Sequence, residues 1–232
     1  MKRYTALLLD ADDTLLDFKA AEAACVKQVF EHFGRTADDM VVSRYSAINH
    51  GLWKQFERGE ISKGDISSRR FTRLFEELEV SEDGIAAERF YREKLGECAF
   101  LVPGALKLCE DLSRCYPLYI ITNGVSKTQY QRIEKSGLAK YLSGIFVSED
   151  AGAQKPSIGY FDYVFSKLSE AERSCPLVFG DSLSSDIQGA VNAGIDSCWF
   201  NPNGTKRPPE APCPTYEIQT FQQLYSILSI QK

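Results

Sequence analysis

Five short runs in this 232-residue sequence are apolar at nearly every position: residues 4–9 (YTALLL), 118–121 (LYII), 145–147 (IFV), 177–179 (LVF) and 197–200 (SCWF). A strand with one wet face alternates apolar and polar residues. Runs without alternation suit strands covered on both faces, as in a parallel sheet lined by helices. Helical patterns fall between them at 105–112, 127–135, 160–168 and 185–193, the last ending at Gly194, a suitable C-cap. The expected class is therefore α/β, with a doubly wound parallel sheet.

One stretch breaks the alternation. From Phe18 to about Glu97 apolar residues recur with helical period, as at Val26, Val29, Phe30 and Phe33, at Ile48, Leu52 and Phe56, and at Phe71, Leu74, Phe75 and Leu78. Breaks fall near Gly34, Gly59 and Ser81. The pattern predicts a helical subdomain of roughly four helices over 18–97, inserted into a core made of 1–17 and 98–232. A long crossover on the sheet face is the alternative, though a crossover needs only about a dozen residues. Residues 201–214 hold five of the nine prolines and read as a loop before a short strand and a final helix.

Composition narrows the function classes. With 44% hydrophobic and 25% charged residues, the chain can bury a core without disulfides or a structural metal. It carries 27 Lys and Arg against 32 Asp and Glu, a net charge of -5, with no block of basic residues to grip a phosphate backbone. Nucleic acid is thus excluded as an expected partner. The seven cysteines are scattered and never form a C-x-x-C pair, the usage of a reducing cytosol. The apolar stretch after Met1-Lys2-Arg3 meets Asp10, Asp12 and Asp13 too early for a signal sequence. No run reaches the roughly 18 apolar residues of a membrane span. The expectation is a cytoplasmic protein without a membrane partner; the oligomeric state is not legible.

Four segments carry chemistry. Asp10-Ala11-Asp12-Asp13-Thr14 follows the first strand, and residues two apart at a strand end point the same way, so Asp10 and Asp12 can share one site beyond the sheet edge. Such a pair can supply a carboxylate nucleophile beside a proton donor. An Asp-rich turn capping a helix fits equally. Thr122-Asn123-Gly124 ends the second strand and can cradle an anion, or merely cap a helix. Lys155 in Gln154-Lys155-Pro156-Ser157 can fix one positive charge, although a lone Lys is more often a solvated surface residue. Gly180-Asp181 follows the fourth strand, and hard carboxylate ligands from two strand ends suit Mg²⁺. Asp186 either caps the next helix or braces the metal's water shell.

In this order, Asp-x-Asp-x-Thr, Thr, Lys-Pro and Gly-Asp-x4-Asp resemble the haloacid dehalogenase (HAD) superfamily of phosphohydrolases along essentially the whole chain. The helical insertion resembles that superfamily's C1 cap. Asp-Ala-Asp-Asp-Thr-Leu-Leu-Asp-Phe and Trp53-x3-Glu57-x-Gly59-x-Ile61 are most similar to bacterial 5'-nucleotidases acting on pyrimidine and noncanonical nucleoside monophosphates. Asp13 departs from the pattern, since many members carry Gly there.

The resemblance implies Asp10 as the nucleophile that becomes an aspartyl-phosphate, and Asp12 as the acid and base. It implies Thr122, Lys155 and the Asn123 backbone N–H as phosphate-binding groups. It also implies Mg²⁺ held by the Asp10 carboxylate, the Asp12 carbonyl and Asp181. The expected activity is a Mg²⁺-dependent phosphatase on a small phosphomonoester, foremost a nucleoside 5'-monophosphate. Alternatives on the same residues are a sugar-phosphate or phosphoglycolate-type phosphatase, or a phosphomutase. A haloacid dehalogenase would need neither the acid at Asp12 nor the metal ligand Asp181, and a non-enzymatic binding protein would have no use for Asp10. Asn49, Trp53, Lys54 and Arg58 are the cap's specificity candidates, and the connections at 17–19 and 99–103 are the expected hinges.

Overall fold

The computed structural model describes residues 4–230. In chain order the elements are β1 (Ala6–Leu9), α1 (Phe18–His32), α2 (Asp39–Glu57), α3 (Lys63–Glu77), α4 (Gly84–Glu97), α5 (Ala105–Ser113), β2 (Leu118–Thr122), α6 (Ser126–Lys135) and β3 (Gly144–Val147). There follow α7 (Ser148–Ala151), α8 (Ile158–Lys167), α9 (Glu170–Arg173), β4 (Pro176–Gly180), α10 (Gln188–Ala193), β5 (Asp196–Phe200), β6 (Tyr216–Ile218) and α11 (Phe221–Ile227). The chain divides into two compact units: Phe18–Phe100, and the described residues up to and including Asp17 together with those from Leu101 onward.

The discontinuous unit is built on a six-stranded sheet in the order β3-β2-β1-β4-β5-β6, with every neighbouring pair parallel. Both faces are apolar, as the unalternating runs require. Leu7, Leu9, Leu118, Ile120, Leu177 and Phe179 face one layer with Leu108 and Leu112 of α5 and Leu224 of α11. Ala6, Leu8, Tyr119, Ile121 and Val178 face the other, against Tyr160, Phe161 and Val164 of α8. The strand order reverses beside β1, and in open α/β sheets such a switch point at the carboxyl edge is where ligands bind.

The helical unit consists of α1 to α4. Its breaks are chemical: Asp38 caps α2 by accepting from the Val41 N–H, Ser62 and Asp65 form a capping box on α3, and Asp83 accepts from Ile85 N–H at α4. Val26, Val29, Phe30, Tyr45, Phe71, Leu74, Phe75 and Tyr91 pack its core. Within that core lies a buried polar chain. Arg70 donates to both Glu88 oxygens at 2.6 and 2.8 Å and to Asn49 Oδ1 at 3.2 Å, and Asn49 donates to Glu22 at 2.7 Å.

Two local readings differ from expectation. The second boundary falls at Leu101 rather than residue 98, because Leu101 bridges Leu16 and the Val102 N–H donates to Leu15 O. The helix expected over 185–193 is split: a wide π-type turn spans Leu183–Ile187 and α10 begins at Gln188. Such turns recur at functional sites. This one is set by Ser182, whose hydroxyl accepts from Ser185 N–H while its own N–H donates to Asp186 Oδ2 at 3.0 Å. Among the described residues no helix is long and apolar enough to cross a membrane.

Candidate active site

The carboxyl edge of the sheet collects the sequence motifs. Asp10 follows β1, Thr122 ends β2, Lys155 precedes α8, Asp181 follows β4 and Asp186 sits in the wide turn. Lys155 is the hub. Its ammonium donates to Asp10 Oδ1 at 2.6 Å, Asp186 Oδ1 at 2.6 Å and Ile121 O at 2.8 Å, which engages all three of its protons. Far from being a solvated surface lysine, it is 1% exposed. Asn123 locks it in place through its side chain, donating to Lys155 O and accepting from Lys155 N–H, each at 2.9 Å.

Oxygen atoms of Asp10, Asp181 and Asp186 lie within 4.8 Å of one another. Thr14 links two of them, its hydroxyl lying 3.2 Å from Asp10 Oδ2 and 3.5 Å from Asp181 Oδ1. Gly180 makes the packing possible, since a Cβ there would stand 2.3 Å from Asp186 Oδ2. Burial, and then the charge of Asp186, push the Asp10 carboxyl up to about 8 against the opposing pull of Lys155. Burial, followed by Asp10 and Asp186, likewise holds Asp181 well above the ordinary carboxylate range. For Lys155 burial alone would lower the pKa, but Asp10 and Asp186 outweigh it and raise it. Three carboxylates around one ammonium are a hard-oxygen, acid-rich set that fits Mg²⁺. One Asp186 oxygen accepts from Lys155 and the other from the Ser182 N–H at the start of the turn.

The Asp12 carboxylate is anchored to α6. Its oxygens accept from Arg132 at 2.5 Å and from Gln129 at 2.9 Å. Asp13 adopts φ 56°, the left-handed region where Gly is easiest and Asp is tolerated. The backbone there therefore tolerates the departure from Gly.

The family model for haloacid dehalogenase-like hydrolases matches residues 7–200. The Bacillus subtilis hydrolase YfnB is 44% identical over 100% of this chain and 98% of its own. Its crystal structure, bound to magnesium, superposes with a TM-score of 0.93 over 99% of this chain and 100% of that one. The pyrimidine 5'-nucleotidases PynA of Streptococcus pneumoniae and YjjG of Escherichia coli are 36% and 32% identical, each over 97% of this chain and over 95% and 98% of their own lengths. The chain belongs to the haloacid dehalogenase-like hydrolases. This HAD hydrolase is a phosphomonoester hydrolase.

Sequence reasoning did not name Gln129 and Arg132 of the HAD site. Their signal was present: two polar residues at i and i+3 on α6, just past Thr122-Asn123-Gly124, a spacing that aligns them on one helix face. Of the cap's specificity candidates, Asn49 is taken up by the buried chain with Glu22 and Arg70. Trp53 packs edge-on against Phe56, and Arg58 pairs with Glu60 at the surface.

Proposed function

We propose that this HAD hydrolase is a Mg²⁺-dependent 5'-nucleotidase, favouring pyrimidine nucleoside monophosphates and working through an aspartyl-phosphate. The observation that carries the chemistry is the bond from the buried Lys155 ammonium to Asp10 beside Asp181 and Asp186. It sets a fixed positive charge beside Asp10 in a place where an anion could not otherwise approach another anion. Asp10 attacks phosphorus in line with the leaving oxygen, and Asp12 protonates that oxygen as it departs. Asp12 then takes a proton from the water that hydrolyses the acyl phosphate.

Thr122 is oriented by a count of lone pairs. Its oxygen accepts from Gln129 Nε2 at 2.8 Å and Gly124 N–H at 3.1 Å, so its single proton is left to donate to a phosphoryl oxygen. Lys155 supplies the fixed positive charge, and Asn123 keeps its backbone in place. Mg²⁺, held by the Asp10 carboxylate, the Asp12 carbonyl and Asp181, would neutralise the charge that builds on the phosphoryl group. The preference for nucleotides rests on the likeness to PynA and YjjG.

The test is a kcat/KM profile over nucleoside monophosphates, phosphoglycolate and hexose phosphates, with Mg²⁺ and with EDTA. The expected result is an advantage of about 10-fold or more for pyrimidine nucleoside monophosphates, equivalent to roughly 1.4 kcal/mol of transition-state binding, and loss of turnover in EDTA. A flat profile would remove the nucleotidase reading and leave the phosphatase.

A further inference from the structure

We infer that Gln129 and Arg132 are positioning residues for proton transfer, holding Asp12 and tying it to the phosphate-binding Thr122. The inference rests on the reading of Asp12 as the acid and base. Both Asp12 oxygens are held, Oδ1 by Arg132 Nη1 at 2.5 Å and Oδ2 by Gln129 Nε2 at 2.9 Å, so the plane of the carboxyl group is fixed and not only its location. Arg132 also donates to Gln129 Oε1 at 3.0 Å, which sets which way the amide faces. With its oxygen so engaged, the amide nitrogen spends one proton on Asp12 and the other on Thr122 Oγ1, at 2.8 Å. One side chain therefore spans the group that would grip phosphate and the group that would protonate the leaving oxygen.

Two further observations set this arrangement apart from ordinary surface pairing. The Arg132 side chain is 1% exposed whereas that of Asp12 is 31% exposed, so the cation is sunk beneath the carboxylate while the carboxylate itself remains reachable. Burying a guanidinium is costly unless it is paired, so a bland packing role would be met more cheaply by an apolar residue. The backbone also makes room for Gln129: a Cβ at position 124 would stand 2.5 to 2.8 Å from its Cγ, Cδ and Nε2, and the residue there is Gly124.

This network bears on leaving groups that need a proton. A nucleoside 5'-alkoxide cannot depart unprotonated, whereas para-nitrophenolate can. The experiment compares kcat/KM, which reports the phosphorylation step, for a nucleoside 5'-monophosphate and for para-nitrophenyl phosphate at saturating Mg²⁺. The variants are Asp12→Asn, Gln129→Met, Arg132→Met and Arg132→Lys, each checked for its fold by circular dichroism. Arg132→Met is expected to lose about 10- to 100-fold on the nucleotide and less than about 3-fold on para-nitrophenyl phosphate, reaching the lower end of general acid catalysis, whereas Gln129→Met, which also removes a donor to Thr122, should lose on both substrates but about 10-fold more on the nucleotide. Arg132→Lys should recover part of the loss. Adding Arg132→Met to Asp12→Asn should cost little more, because the two act on one step.

Equal losses on both substrates in Gln129→Met and Arg132→Met, alongside a substrate-dependent loss in Asp12→Asn, would overturn the positioning role and leave Asp12 as the acid. Equal losses in Asp12→Asn itself would overturn both. Should Arg132→Met fail to fold, the uncharged exchange Gln129→Met decides the matter alone.

Discussion

Each unit of this hydrolase buries a cation among carboxylates, and the two settle the charge in opposite ways. In the helical unit Arg70 meets Glu88 through two parallel bonds and passes a third to Asn49, which in turn bonds Glu22. In the α/β unit Lys155 faces Asp10 and Asp186, with Asp181 crowded against both. The first is a matched bidentate pair extended by an amide. The second holds more acid than its lysine can balance, and this shows in the Asp10 carboxyl pushed up to about 8 by burial and then by Asp186. Buried charge that is satisfied within the protein builds structure. Charge left in excess is strain kept for a ligand.

The largest way to break this comparison is Asp10→Asn. Turnover should fall by roughly 10⁴-fold or more, since the proposed aspartyl-phosphate can then not form. In EDTA above about pH 8, where Asp10 has given up its proton, the variant should melt above the wild type, because a repelled carboxylate has been removed. A lower melting temperature would mean that the acid cluster is as well matched as the helical one.

Arg70→Met tests the other side. It leaves Glu88 buried without its guanidinium, and the expected cost is about 3–5 kcal/mol, read from denaturant unfolding of the full chain. A loss below about 1 kcal/mol would show that the Arg70 network contributes little to holding the helical unit together.

A smaller effect, and the one that sharpens the comparison most, is the dependence on pH. Asp10 holds its proton up to about 8 in the folded chain against an ordinary value of 3.8. The folded state therefore binds the proton more tightly than the unfolded state does. The stability from this group is complete below about pH 4 and is lost as the pH rises toward 8; Asp181 acts with the same sign. Thermal melts in EDTA should fall across that window, and the gain on adding Mg²⁺ should grow with pH. A gain that does not vary with pH would remove Asp10 from the set of groups that give up a proton to the metal.

The sheet and the main site motifs were legible because they are local. An unalternating apolar run names a strand buried on both faces, and the one or two residues after it lie at the sheet edge, which places Asp10, Thr122 and Asp181 there. What was not legible depends on side-chain reach between distant segments. That Lys155 would be buried with all three protons engaged could not be read from one lysine before a proline. That Asp12 would turn toward α6 depends on Gln129 and Arg132, which lie more than a hundred positions away and meet it only once β1 and β2 pair. The helical period over 185–193 does not reveal the wide turn at Leu183–Ile187, because the reciprocal bonds of Ser182 and Asp186 leave no mark in periodicity.

The strand order has a consequence for how the molecule is made. β1 is synthesised before the other described strands of its sheet, and its partners β2 and β4 begin only at Leu118 and Pro176. At roughly 5–20 residues per second, β1 leaves the ribosome on the order of 10–30 s before its second neighbour exists. During that wait its apolar side chains have no sheet to join. The helices of Phe18–Phe100 are local in sequence and can gather first, drawing together the ends of the long loop that β1 and β2 must close. Asp10 thus emerges early and meets Lys155, Asp181 and Asp186 only after most of the chain behind it has arrived.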